Sequence, residues 1–164
     1  MPAKNFALQE LLPSSMCQNV TVNSWSVFDS RLLSTIDAIR EVLGYKMICN
    51  TWFFSKASQA TYGLYEYRGF RPKDCGVGTI TGAHYKGMAI DFDAYDLKGV
   101  RIPSKTIIDL ILKRRYKFPY IIGLETNVAW NHVDVMDGKV SPARVGVPKG
   151  KILLFDANNN SRLV

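Results

Sequence analysis

Histidine is scarce in this chain: 164 residues contain only two, His84 and His132. Cysteine is nearly as scarce, and Cys17, Cys49 and Cys75 are odd in number, widely spaced and without a Cys-x-x-Cys pair. That pattern argues against a disulfide framework and suits a reducing compartment. No apolar run approaches the roughly twenty residues needed to span a bilayer. The start, Met1-Pro2-Ala3-Lys4-Asn5-Phe6, lacks the basic-then-apolar order of a secretion signal, so synthesis without a leader is expected. Helix-turn-helix, zinc-finger and aromatic-basic RNA-binding patterns are also missing, and a specific nucleic-acid partner is not expected. There is no internal repeat and no linker.

What remains is the composition of an ordinary globular protein, long enough to bury one core, and a single domain over 1–164 is expected. A net charge of +7 favours an anionic partner. The densest basic run, Lys113-Arg114-Arg115 with Lys117, falls at the end of a predicted helix, where cations complement the helix dipole.

Periodicity supplies most of the element assignments. Phe28, Leu32, Ile36, Ile39 and Leu43 recur at steps of three and four, which predicts a helix over 27–43 with Ser26 as N-cap, Asp29 in the first turn and Gly44 as the stop. A second amphipathic helix, capped by Ser104, carries Ile107, Ile108, Ile111 and Leu112. Short apolar strands are expected over 46–50, 88–93, 120–125, 128–135 and 152–155. Residues 1–25 read as an ill-defined lead-in with a short helix near Phe6–Leu12 and a loop over 14–24. Residues 51–79 read as one extended loop, and 156–164 as a frayed tail. The fold class is α+β: an antiparallel sheet with helices packed on one side and a metal cleft on the other.

Both histidines fall in chemically suggestive surroundings. His84 lies in Thr81-Gly82-Ala83-His84-Tyr85-Lys86-Gly87-Met88-Ala89-Ile90-Asp91, seven residues before Asp91, with Gly87 at the bend between them. His132 lies in the alternating segment Ala129-Trp130-Asn131-His132-Val133-Asp134-Val135. Two imidazoles and a carboxylate are a common ligand set for catalytic zinc, with a fourth position left for water. Cys75, nine residues before His84, could add a fourth ligand, but a small partly buried thiol is the better reading, since a closed shell would be structural.

The two motifs together resemble those of the zinc peptidases that include D-Ala-D-Ala carboxypeptidases, phage L-alanyl-D-glutamate endopeptidases and the hedgehog signalling domain. That family's pattern is Ser-x-His-x-x-Gly-x-Ala-x-Asp, then Trp-x-His some forty residues later. Here Gly82 takes the serine position, and Trp130-Asn131-His132 supplies the second part. The similarity spans about 28–135.

The resemblance implies Zn2+ held by His84, Asp91 and His132, and an arginine on the preceding loop that holds the substrate carbonyl, with Arg71 the best match and Arg68 the competitor. Either arginine could instead merely staple the loop to a carboxylate. In the carboxypeptidase branch a catalytic glutamate sits three residues before the second histidine, where this chain has Ala129. Glu125 is the substitute, at a spacing close to that of the hedgehog-like branch. Asp134 is its rival but is better read as orienting an imidazole, with Trp130 beside it. Asp93 would support its strand or face solvent.

The implied function is hydrolysis of an amide bond in peptidoglycan stem peptides, as a D,D-carboxypeptidase or L,D-endopeptidase. A small basic protein of this kind suits a bacteriophage lysis or virion role, made in the host cytoplasm and acting on the cell wall. The alternative is a zinc-stabilised binding or virion structural module without turnover.

Overall fold

The computed structural model describes residues 2–18, 21–141, 144–158 and 160–164. Positions 19 and 20 of the expected loop and position 159 of the expected tail lie outside the described residues. Among the described residues there are three α-helices: α1 (Ser30–Leu43), α2 (Lys56–Tyr62) and α3 (Ser104–Lys113). Seven strands accompany them: β1 (Lys46–Ile48), β2 (Ala89–Tyr95), β3 (Arg101–Ile102), β4 (Gly123–Glu125), β5 (Asn131–Asp134), β6 (Leu153–Phe155) and β7 (Ser161–Leu163). They form one sheet in the order β1-β2-β5-β4-β6-β7, with β3 also on β2, so the fold is α+β. No helix among the described residues is long and apolar enough to cross a membrane.

The sheet is mixed rather than purely antiparallel. β6 joins the free edge of β4 and runs parallel to it, while every other pairing is antiparallel. The expected frayed tail instead turns back as β7 against β6. The Asp156 carboxylate holds that turn, accepting from the backbone N–H groups of Asn158 and Asn160 at 2.9 and 3.0 Å. Such an Asx-type turn is invisible to hydrophobic periodicity.

The helix starts also move. Asp29, not Ser26, caps α1: its side chain accepts from the Arg31 N–H at 2.8 Å, and its own N–H is spent on the Gly87 carbonyl at 2.9 Å. Ser26 instead bonds back to Asn23 inside a 3₁₀ turn, Val22–Val27. Gly44 ends the helix in the left-handed region, as expected (φ 68°). On α3 the cap position belongs to Pro103, and Ser104 is the first helical residue. The expected 51–79 loop contains α2, started by Ser55 and stopped by Gly63. It buries no residue, so it leaves no apolar stripe in the sequence.

The lead-in belongs to the core. Phe6, Leu8, Leu11 and Leu12 are buried, and the Leu12 carbonyl accepts from the Asn50 side chain and the Trp52 indole at 3.0 and 2.9 Å. One face of the sheet, with Ile90, Phe92, Ala94, Leu124, Val133 and Leu154, packs in a single buried cluster with Leu32, Ile36 and Ile39 of α1 and Ile107 and Ile111 of α3. The other face carries carboxylates. All seven residues of β2 are buried, its aspartates included, so the polar face must be covered and its charges paired.

Gly87 joins the two halves of the first motif. It adopts φ 63°, and a Cβ there would collide with the Val27 carbonyl oxygen. Gly87→Ala should therefore lower stability by roughly 1–3 kcal/mol, read as a drop in denaturation midpoint at unchanged slope; an unaltered midpoint would show that the 27–30 segment yields freely.

Candidate metal centre

Asp91 on β2 stands opposite His132 on β5, which stands opposite Glu125 on β4, which pairs with Phe155 on β6. Paired residues share a face, so one row gathers a carboxylate, an imidazole, a second carboxylate and an aromatic ring. Asp91 gives its N–H to the Arg68 carbonyl at 2.7 Å, away from β5. Asp91 and His132 thus form a non-hydrogen-bonded pair, the kind in which facing side chains approach most closely.

His84 reaches the row from the 3₁₀ turn His84–Lys86, its Nδ1 lying 2.7 Å from the Gly69 carbonyl oxygen. A carbonyl can only accept, so Nδ1 carries the proton and Nε2 presents a lone pair. That lone pair lies 3.3 Å from Asp91 Oδ1. Two acceptors facing each other at that range call for a cation between them. His132 Nδ1 lies 2.7 Å from the same oxygen. The three ligand atoms are within 4.8 Å of one another, and His84, Asp91 and His132 could hold a metal ion.

Each of the three is also held from behind. Gly69 holds His84, and Arg71 Nη2 donates to Asp91 Oδ2 at 2.9 Å. His132 Nε2 lies 3.6 Å from Asp134 Oδ2, which accepts from Arg144 Nη2 at 2.7 Å. Gly123, opposite Asp134, makes room for that carboxylate: a Cβ at this position would overlap it. Outer partners of this kind orient imidazole and carboxylate ligands.

The electrostatics follow. Burial holds the His84 imidazole below its ordinary value, although Asp91 pulls the other way. Burial opposes charge on His132 too, but the flanking carboxylates of Asp134 and Asp91 outweigh it and push that imidazole up to about 10. Burial raises Asp91, and the two imidazoles more than reverse this, holding the carboxyl well below the usual range. Asp134 is likewise lowered: its burial is outweighed by His132 and Arg144. Glu125 differs: half-buried, it is raised by burial, with His132 and the Trp130 indole acting against the shift.

The expected site residues thus separate into groups. His84, Asp91 and His132 converge, and Glu125 joins their row. Arg71 touches the centre through Asp91, with its Nε fixed to the Tyr67 carbonyl at 2.7 Å. Arg68 is spent elsewhere: Nη1 pairs with Asp93 at 2.7 Å, and the guanidinium lies 3.4 Å over the Tyr65 ring. Asp93 does not face solvent; it is buried between Arg68 and Arg101. Asp134 is fully buried behind His132, and Trp130 is partly exposed beside Glu125. Cys75 stays outside the ligand set, its Sγ 3.4 Å from the Tyr85 hydroxyl.

Two contributors carried no signal of a role at this centre. Arg144 anchors Asp134 and lies 4.5 Å over the Phe155 ring, which in turn meets His132 edge-on at 5.7 Å between centroids. Arg144 comes from an aperiodic stretch, and the strand predicted over 152–155 gave Phe155 a place but no link to His132.

Replacing Arg144 with Met should leave a buried carboxylate without its partner and cost about 3 kcal/mol, read by chemical denaturation; a loss under ~0.5 kcal/mol would mean that the pair is not closed in solution. A second expectation concerns pH. In metal-free protein the raised pKa of His132 contributes stability that is fully present below about 6.5 and is lost as pH rises through about 10. A ligand imidazole must be neutral, so a divalent ion added at pH 8 should release close to one proton. Calorimetry in two buffers of different ionisation enthalpy measures that number, and zero release would show that His132 is already neutral.

Compared with protein-family models, curated proteins and solved structures, the chain matches none at a significant level, so the reading of this centre rests on its own geometry.

Proposed function

We propose that the protein is a zinc peptidase of the carboxypeptidase, endopeptidase and hedgehog type, hydrolysing an amide bond in peptidoglycan stem peptides. The observation that carries this reading is the His84 lone pair turned on Asp91 Oδ1, with His132 Nδ1 on the same oxygen. The donor set, two imidazole nitrogens and one carboxylate oxygen, suits zinc and leaves its shell open. Bound there, zinc would supply Lewis acidity toward a carbonyl and activation of water.

The remaining work falls to the chain's own groups. Glu125, raised by burial and next in the row to His132, takes the proton of the attacking water and delivers it to the leaving amine. Asp134 is a poor rival, because Arg144 and the Met136 N–H already occupy its oxygens. Arg71 fixes Asp91 through Nη2; its Nη1, without a hydrogen bond among the described residues, is the donor left for a substrate oxygen. The net charge of +7 suits the anionic wall polymer. Within this proposal the setting is bacteriophage lysis or a virion-associated activity.

A second reading rests on Ala129, which stands where the carboxypeptidase branch has its glutamate: a zinc-stabilised binding or virion structural module without turnover. Mass spectrometry of fragments released from purified peptidoglycan separates the two. The zinc-loaded protein should release stem peptides whose new termini identify the bond. Glu125→Gln should lower the rate by roughly 10²–10⁴-fold with zinc stoichiometry unchanged, whereas His84→Ala should lose both metal and turnover. Stoichiometric zinc without release would leave the binding module standing.

A further inference from the structure

Basic residues gather at the end of the sheet where β4 and β6 begin. These two strands run parallel with Gly123 opposite Leu153, and the Leu153 N–H donates to the Ile122 carbonyl at 2.8 Å. The segments leading into them therefore lie side by side, although they are distant in the chain. One is the 3₁₀ turn Arg115–Lys117 that follows α3. The other is a tight turn in which the Lys151 N–H donates to the Pro148 carbonyl at 3.0 Å. Lys113, Arg115 and Lys117 come from the first, Lys149 and Lys151 from the second, and all five are exposed.

Complementing the helix dipole accounts for only part of this charge. Arg114 is spent inside the fold, where its Nη1 donates to the Val42 carbonyl in the last turn of α1 at 3.1 Å. The side chains of the other five make no ion pair and no hydrogen bond among the described residues. Their own segments offer no carboxylate, since the chain has no acidic residue from 110 to 124 or from 138 to 155. At the same end, where β5 finishes, Asp134 and Asp137 are already paired with Arg144 and Arg31. Like charges left unpaired at one end of a domain set up a positive field that an anionic partner neutralises.

Two tyrosines stand among these cations. Tyr116 is 75 % exposed and Tyr120 45 % exposed, and Lys117 Nζ lies 5.5 Å from the centre of the Tyr116 ring. Phe118, between them in the chain, is buried and fixes the turn to the core. Phenol rings interleaved with lysine and arginine suit the headgroup layer of an anionic bilayer, where tyrosine sits at the interface and cations are drawn to the negative leaflet. A nucleic-acid strand is instead held in a basic groove that tracks its backbone. These residues stand on exposed turns at the tip of the sheet, and none of the five cations lines the cavity of about 500 Å3 between α3 and the β6–β7 hairpin.

We propose that this end of the domain is a peripheral docking surface for an anionic phospholipid bilayer, with the five cations on the lipid phosphates and Tyr116 and Tyr120 at headgroup level. None of its residues belongs to the metal row, so the assignment does not depend on peptidase activity.

The test is sedimentation of the full chain with vesicles of phosphatidylcholine containing about one third phosphatidylglycerol, beside vesicles of phosphatidylcholine alone. Binding is expected on the anionic vesicles only, and it should fall at least roughly tenfold between about 0.1 M and about 1 M salt as the screening length shortens. Lys149→Gln with Lys151→Gln, and Arg115→Gln with Lys117→Gln, should each weaken it at least roughly tenfold, at about fivefold per cation. These side chains are exposed, so both double variants should keep the wild-type denaturation midpoint. Lys56→Gln with Lys98→Gln removes the same charge from α2 and from the β2–β3 turn, which lies at the opposite end of the sheet, and should cost less than about threefold. Equal losses in that control pair, or equal binding to the two kinds of vesicle, would overturn the proposal. So would displacement from the vesicles by a single-stranded oligonucleotide or by peptidoglycan fragments at equal anionic charge, which would assign the surface to that polymer.

Discussion

One carboxylate oxygen, Asp91 Oδ1, confronts two imidazole nitrogens in a buried setting, and much of the architecture serves to keep it there. The confrontation is unfavourable without a cation, because the His84 nitrogen that faces it is an acceptor. It is enforced by the register of β2 on β5, by the Gly87 turn that sets His84 just before β2, and by the Gly69 carbonyl that fixes the His84 tautomer. Held in this way, His84, Asp91 and His132 could take a metal ion between them.

The polar face of the sheet solves the cost of burial pairwise. Asp91 has Arg71, Asp93 has Arg68 and Arg101, and Asp134 has Arg144. Buried ion pairs add little net stability, since desolvation offsets much of the attraction, but breaking one is expensive, and so they hold segments in register. Arg68 and Arg71 dock the 51–83 segment onto β2, and Arg144 docks the segment after β5 onto Asp134. Glu125 differs from Asp91 and Asp134: it has no arginine partner among the described residues, and burial raises its pKa where theirs are lowered. Under the proposed function that difference separates the proton carrier from the groups that only position.

Much was legible in the sequence. The stripe of α1, the strand at 88–93, the scarcity of histidine and the spacing from His84 to Asp91 all survive, because apolar periodicity and ligand chemistry are local properties. Less legible were the features set by side chain–backbone bonds. Asp29 displaces Ser26 as cap because its carboxylate takes the Arg31 N–H, while the Ser26 hydroxyl is spent on the Asn23 carbonyl. The tail becomes β7 because Asp156 turns it, and α2 hides in a polar segment because it buries nothing.

The amino-acid sequence by itself determined which groups can bind a metal, that the fold is α+β, and that the surface is basic, since these depend on residue type and short-range pattern. Only the tertiary structure decided which nitrogen of each histidine faces Asp91, that Glu125 shares the row of His132, and that Arg68 is spent on Asp93 while Arg71 reaches Asp91. It alone brought in Arg144, and it alone opened a cavity between α3 and β7. The physical reason is the same in each case: hydrogen-bond direction and strand register are relations between segments distant in the chain, and no local pattern encodes them.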